Sequence, residues 1–236
     1  MKIGQKKGFL YLKYVVSFVP NIAREGGERI MSYMKKILAV VLILAMTLGL
    51  VLEAGAAGSP TEGYDPKTDT YTETKGTTTV TTKVGEKAVE KVESGEASVT
   101  LATSKDAKGQ EIQIEQIGDG TDGVFDSAEG RKVTKVTTAS KAAQIILAAN
   151  AFKGSSVKTV VIGSRKTKIR ANAFGDAKNI TLDCRKSTRQ AQLKFEKGSL
   201  KGVKKIILSK KLSKSSRAKV LKKLKAAGFT GKVSYK

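Results

Sequence analysis

Two Asn-Ala-Phe triplets, Asn150–Phe152 and Asn172–Phe174, stand 22 residues apart with matched apolar residues around them. Aligned on the triplets, LAANAFKGSSVKTVVI lies over IRANAFGDAKNITL. This sets Leu147 against Ile169, and matching the apolar pairs, with two residues fewer in the second copy, sets Val160 and Ile162 against Ile180 and Leu182. A unit this short cannot bury its own apolar face and gains a core only by stacking on a copy of itself, so the repeat predicts a solenoid. Within each copy the apolar pair is spaced two apart, the period of a strand, and points to one side. Phe152 and Phe174 are expected one above the other on the opposite wall, with Ala151 and Ala173 small enough to let neighbouring backbones approach.

Weaker copies flank the pair. Upstream, Ile117-Gly118 and Val124-Phe125 precede the run Lys132–Val136, as the same unit with a three-residue insertion before its Phe. Downstream, Phe195, Leu200, Ile206 and Leu208 repeat the offsets of Ile169, Phe174, Ile180 and Leu182. From Phe125 through Phe152 and Phe174 to Leu200 the spacings are uneven, at 27, 22 and 26 residues. The form Ile-x-x-x-Ala-Phe, a polar turn, then alternating apolar residues resembles the BspA-type leucine-rich repeat of exported bacterial proteins. The Lys-rich run Lys204–Val233 is similar to the closing segment of such proteins from anaerobic Firmicutes. The resemblance spans roughly residues 112–236 and departs from the usual form in lacking a Pro after each strand. The expected fold is mostly β with short helical pieces: a leucine-rich-repeat solenoid of about four short coils over residues 117–212, with a segment at each end.

The flanking segments have their own signals. Residues 77–116 hold the short Thr- and Val-rich runs Thr77–Val84, Ala88–Val92, Ser98–Thr103 and Glu111–Ile117, separated by Gly or Asp turns, a hairpin pattern. Ile112 and Ile114 alternate with Gln113 and Glu115, so that strand is expected to cover the first open edge of the stack. In the C-terminal cap, residues 213–236, Ser213 is an N-cap and Ala218, Leu221 and Leu224 recur at helical spacing, with Val220 and Ala227 beside them. Gly228 and Phe229 stand where a C′ residue and its apolar follower belong, giving a helix over 214–227 and a short strand at Lys232–Tyr235. Lys222, Lys223 and Lys225 complement the helix dipole. A basic amphipathic helix also suits a membrane surface. Because terminal repeats need caps, a docked helix is the reading adopted.

Composition removes whole classes of chemistry. The chain has no His, which excludes Ser-His-Asp triads, Cys-His dyads and His-ligated metal sites built from its own residues. Its single Cys, Cys184, forms no internal disulfide and reads as a small core residue after the third repeat strand rather than a nucleophile. The Gly118–Gly123 segment spells GxGxxG, but no helix-forming run follows and Asp119 and Asp122 would repel a pyrophosphate, so it reads as a turn. Glu111 and Glu115 are an acidic pair on a solvent-facing strand with no pocket implied. No catalytic, cofactor-binding or metal-ligating residue is assigned, and the chain is expected not to be an enzyme.

Charge is divided sharply. Residues 57–130 carry 7 Lys and Arg against 15 Asp and Glu, whereas residues 131–236 carry 29 against 3, within a formal net charge of +23. The basic half attracts polyanions in a salt-dependent way. At the N-terminus, Arg24–Arg29 is what a purine-rich ribosome-binding sequence would encode, so residues 1–30 are expected to be an untranslated upstream extension with the start at Met31 or Met34. Residues 31–56 read as a cleaved signal peptide: Lys35 and Lys36, an apolar stretch from Ile37 to Leu52 too short for a spanning helix, and Ala54-Gly55-Ala56. Residues 57–76 read as a flexible Thr-rich leader, either a solvated linker or a glycosylated one.

The expected product is a secreted or non-covalently surface-associated repeat protein with no integral span in its mature chain. Family resemblance implies adhesion or other binding to an extracellular protein or glycan. The outward strand positions Thr159, Val161, Thr181, Lys205 and Ile207 would form that face. The alternative is a charge-driven binder of anionic cell-wall polymer, acidic polysaccharide or extracellular nucleic acid, with specific single-strand recognition disfavoured by the scarcity of aromatics.

Overall fold

Short runs of Thr, Val and Ile broken by Gly, Asp and Asn favour short strands and tight turns. The computed structural model describes residues 62–236, which belong to one compact unit running from Pro60 to Lys236. The expected upstream extension, the expected export signal and the first part of the expected leader lie outside the described residues. Numbering strands along the chain, an eight-stranded sheet holds β1 (Gly63–Asp65), β2 (Thr70–Lys75), β3 (Thr78–Lys83), β4 (Ala88–Ser94), β8 (Gln116–Ile117), β10 (Ile145–Leu147), β12 (Thr167–Ile169) and β14 (Leu193–Phe195), in that spatial order. A six-stranded sheet holds β5 (Ser98–Leu101), β9 (Lys135–Thr138), β11 (Thr159–Val161), β13 (Ile180–Cys184), β15 (Val203–Leu208) and β16 (Lys232–Tyr235). Strands β6 (Thr103–Lys105) and β7 (Glu111–Gln113) form a separate antiparallel ribbon.

Strands β1 to β4 pair antiparallel, but from β4 onward every pairing in both large sheets is parallel. Parallel neighbours need a crossover, and here it runs through a strand of the other sheet, except between β15 and β16, where it is the C-terminal helix. The chain passes from β4 to β5, β8 to β9, β10 to β11, β12 to β13 and β14 to β15, visiting the two sheets in turn. Ile145 pairs with Thr167 and Val160 with Leu182, so the 22-residue offset of the triplets is also the register of both sheets at that step.

The core lies between the sheets. Val99, Val136, Val160, Leu182 and Ile206 line one wall and Val89, Ile117, Leu147 and Ile169 the other, all buried. The corner between them is filled by Phe125, Phe152 and Phe174, fully buried and stacked with ring centroids 5.6 and 5.5 Å apart. Leu200 is buried one pass further on. At this corner the backbones hydrogen-bond directly: the Val124 amide donates to the Ala151 carbonyl and the Phe152 amide to the Ala173 carbonyl. Ala151 and Ala173 are wholly buried there, as such an approach requires.

Four expectations need correction. First, the strands are out of step with the apolar matching by two residues. Val160 pairs with Leu182, not Ile180, and Leu182 pairs with Ile206, not Leu208. An even shift keeps every side chain on its own face, so the inward set survives. The cause is that β13 points three residues inward, Ile180, Leu182 and Cys184, and Ile180 sits at a register irregularity. Second, residues 63–75 of the supposed leader are the hairpin β1–β2. Its inward face is Thr70 and Thr72, satisfied by hydroxyl pairs with Thr68 at 2.7 Å and Thr81 at 3.3 Å, so it shows no apolar alternation. Third, β4 and β5 do not form a hairpin with each other. They open the parallel stack, and the first edge is covered by β4 on one sheet, while Glu111–Ile117 splits into β7 and β8. Fourth, Ala218 and Leu221 face solvent, Leu221 at 39% exposure.

The C-terminal helix, α1 (Lys214–Ala226), buries Val220 and Leu224, with Ala227 just beyond, a narrow stripe at positions i, i+4 and i+7. The Ser213 hydroxyl accepts the Ser216 amide at its start. At its end Gly228, with φ of 84°, lets the Gly228 amide reach Lys225 O and the Phe229 amide reach Leu224 O, the paired bonds of a Schellman closure. The helix packs beside β14, the last strand of the eight-stranded sheet. There the Lys223 ammonium donates to Leu193 O at 3.1 Å and Gln190 O at 2.9 Å, engaging carbonyls with no further strand beyond them. Lys223→Met is therefore expected to cost about 1–3 kcal/mol, the range for a charged hydrogen bond lost with its acceptors left partly buried. Equilibrium urea unfolding measures it, and a loss below roughly 0.5 kcal/mol, the surface level, would mean the lysine does not secure that edge.

Candidate functional site

Alternation along each strand of the six-stranded sheet sends every second residue outward, and the register then lines these residues up across strands. One outward row runs Ser98, Lys135, Thr159, Thr181, Lys205, Lys232; the next runs Thr100, Thr137, Val161, Asp183, Ile207, Ser234. At about 4.8 Å per strand each row extends roughly 24 Å. All five residues expected on the face lie in these two rows, four half-buried and Lys205 exposed. The two-residue correction in register leaves them on the same side and changes only which are neighbours.

Asp183 joins the face between Val161 and Ile207, a residue sequence reasoning missed because the repeat pattern was followed only as far as Leu182. Its carboxylate is nearly buried and accepts Arg185 Nε at 2.9–3.0 Å, Arg185 Nη2 at 2.7 Å and the Arg185 amide at 3.1 Å. This contact raises the affinity of Arg185 for its proton. Cys184 points the other way into the core, where burial, with Asp183 second, pushes its thiol pKa up and keeps it protonated.

The other two acidic groups of the basic half are engaged as well. Asp176 Oδ1 accepts the Gly154 amide at 2.7 Å, which holds its pKa below the usual carboxylate range. Glu196 accepts the Ala171 amide at 2.9 Å, lies 3.1 Å from the Lys168 ammonium, and is lowered for those reasons in that order. Apart from Lys132, Lys168 and Arg185, no Lys or Arg from residue 131 onward has a carboxylate within ion-pair distance among the described residues. The positive field of this half is thus largely uncompensated.

A second surface opens at the turn that carries each Phe. Asn150 and Asn172 both take left-handed backbone, φ 58° and 56°, which Asn tolerates better than other side-chain-bearing residues. The Asn172 amide nitrogen donates to Asn150 Oδ1 at 2.7 Å, and the Asn150 amide nitrogen to Thr121 O at 3.2 Å. Gly198 holds the same left-handed position one pass on, φ 74°. The recurring Asn was visible in the sequence, but its meaning lies in a backbone angle. Beside this ladder lies an open groove of about 720 Å³ lined by Asn150, Asn172, Asp176, Lys153, Lys178 and Lys201 over the glycines Gly175 and Gly202.

Two sequence features prove to be local structure. The Gly118–Gly123 segment is a turn in which Asp119 accepts the Thr121 amide and hydroxyl. Glu111 lies on the β6–β7 ribbon, and Glu115 pairs with Lys87 at 3.3 Å. No helix among the described residues is long and apolar enough to cross a membrane. Comparison with protein-family models, curated proteins and solved structures finds no match.

Proposed function

We propose that the chain is a leucine-rich-repeat solenoid, exported to the cell surface or medium, that binds an extracellular protein or glycan through the outer face of its six-stranded sheet. The supporting observation is the register, which gathers Thr159, Val161, Thr181, Lys205 and Ile207 into two adjacent outward rows. Such a face offers a long, regularly spaced array rather than a pocket, which suits an extended partner. The test compares the chain with a Thr159→Glu/Thr181→Glu variant on a panel of extracellular-matrix proteins and neutral glycans. The reading expects a bound ligand whose affinity falls at least about tenfold in the variant, equivalent to about 1.4 kcal/mol, with unfolding unchanged. Equal binding by both proteins removes the strand face.

A second reading rests on the uncompensated charge of residues 131–236: attachment to an anionic cell-wall polymer. Purified walls with and without teichoic acid, across a salt series, separate the two. Capture that needs the polymer and fades steeply with salt supports attachment by charge, whereas salt-insensitive capture by one ligand supports the strand face.

A further inference from the structure

We infer that the groove at the Asn turn binds an acidic polysaccharide, a chain carrying both carboxylates and hydroxyls, laid across successive passes. This goes beyond the strand-face reading and deepens the charge reading, on which it rests, by naming one site and one ligand class.

The groove is built by the repeat. Lys153, Lys178 and Lys201 stand on successive passes, all exposed, none in ion-pair contact with a carboxylate among the described residues. Glycine lines the floor because the passes press together there. A side chain at Gly175 would collide with Lys153 and one at Gly202 with the Ala177 carbonyl, so neither position can carry one. Three lysines drawn from three passes onto one groove fit a ligand with repeated negative charge.

The remaining groups decide which polyanion. Asn172 ends the amide ladder, using one N–H on Asn150, so its carbonyl oxygen and second N–H have no partner among the described residues. Asp176 accepts the Gly154 amide through Oδ1 and lines the groove beside Lys153 and Lys178, both close enough to stabilise its charge. Two acceptors among three cations suit hydroxyl donors alternating with carboxylates. Polyphosphate brings no hydroxyl along its chain to donate to these acceptors. Single-stranded nucleic acid binds chiefly by stacking bases on aromatic rings, and no aromatic residue lines this groove.

The test uses the full chain and polygalacturonate, whose every sugar bears a carboxylate and hydroxyls, with dextran as the neutral polymer and polyphosphate and poly-uridylate as competing polyanions. Calorimetry at about 0.1 M salt, where the Debye length is about 10 Å, is expected to show binding to polygalacturonate, none to dextran, and weaker binding to the other two at equal charge concentration. The variant Lys153→Gln/Lys178→Gln/Lys201→Gln is expected to lose at least about tenfold in affinity. The charge-matched variant Lys194→Gln/Lys219→Gln/Lys222→Gln stays within about threefold, because none of these three lysines lines the groove. Equal losses in the two variants would show attraction without a site and overturn the proposal while leaving the charge reading intact. Tighter binding of polyphosphate or poly-uridylate overturns the ligand class, and no binding to polygalacturonate overturns it outright.

Discussion

Phe152→Ala is expected to lower the unfolding free energy by about 3–5 kcal/mol, the range for a fully buried Phe. Phe152 is the middle ring of three, 5.6 Å from Phe125 and 5.5 Å from Phe174, and all three are fully buried. Its removal leaves a void in the corner that joins the two sheets and ends both ring contacts, each worth about 0.5–1.5 kcal/mol beyond area burial. Phe174→Ala falls in the same range, and its loss should be smaller than that of Phe152, since one ring contact goes instead of two. Urea titration by circular dichroism reads both, with the m-value showing whether the unfolded reference has moved. A loss below roughly 1 kcal/mol at either position would count against the ring column as a structural spine.

Gly202→Ala has the second large effect. Gly202 has φ of 86°, and a methyl group there meets the carbonyl oxygen of Ala177 on the preceding pass. Left-handed backbone costs a side-chain-bearing residue about 1–2 kcal/mol, and forced repacking adds about 1–3, so the expected loss is roughly 2–5 kcal/mol. Gly76 separates the two causes. It has φ of 60° with nothing within 4 Å of an added methyl, so Gly76→Ala meets the backbone cost alone, about 1–2 kcal/mol. Equal losses at the two positions would show that passes do not press together at Gly202.

The period was readable because a large residue recurs where only a large residue fills the corner. Phe152 and Phe174, with Leu147 and Ile169 at the same offset, mark it in the bare sequence. The same 22-residue period carries Val160 onto Leu182, the register observed, but matching apolar pairs set that count aside. Matching the most apolar residues favoured Ile180 and Leu182 as the partners of Val160 and Ile162. The ladder instead pairs Val160 with Leu182 and carries Ile162 toward Cys184, whose amide neighbour Asp183 accepts the Ile162 N–H through its carbonyl at 2.9 Å. Apolarity ranks side chains, whereas register is set by hydrogen bonds and turn lengths.

Polar interiors hid other parts. The hairpin β1–β2 turns threonines inward and pairs their hydroxyls, so a search for alternating aliphatics passes over it. On α1, Val220 and Leu224 face the core and Leu221 does not; spacing alone allows either stripe, and the position of β14 selects one. On the candidate face, the outward threonines and Lys205 followed from strand alternation, but Asp183 and the asparagine ladder needed coordinates. Each takes its meaning from a partner two residues away or one pass away, and a linear reading does not place those partners.

Cys184 turns its position into a clock. It is the chain's one thiol, wholly buried in the last residue of β13 between two passes. A thiol reagent reaches it only when those passes separate, so the rate of alkylation in native buffer times that separation without any introduced label. Local fraying of the ends leaves the rate unchanged, whereas a breach at the middle of the stack raises it. The wild-type sequence therefore carries its own single-site reporter of how long the stack stays shut.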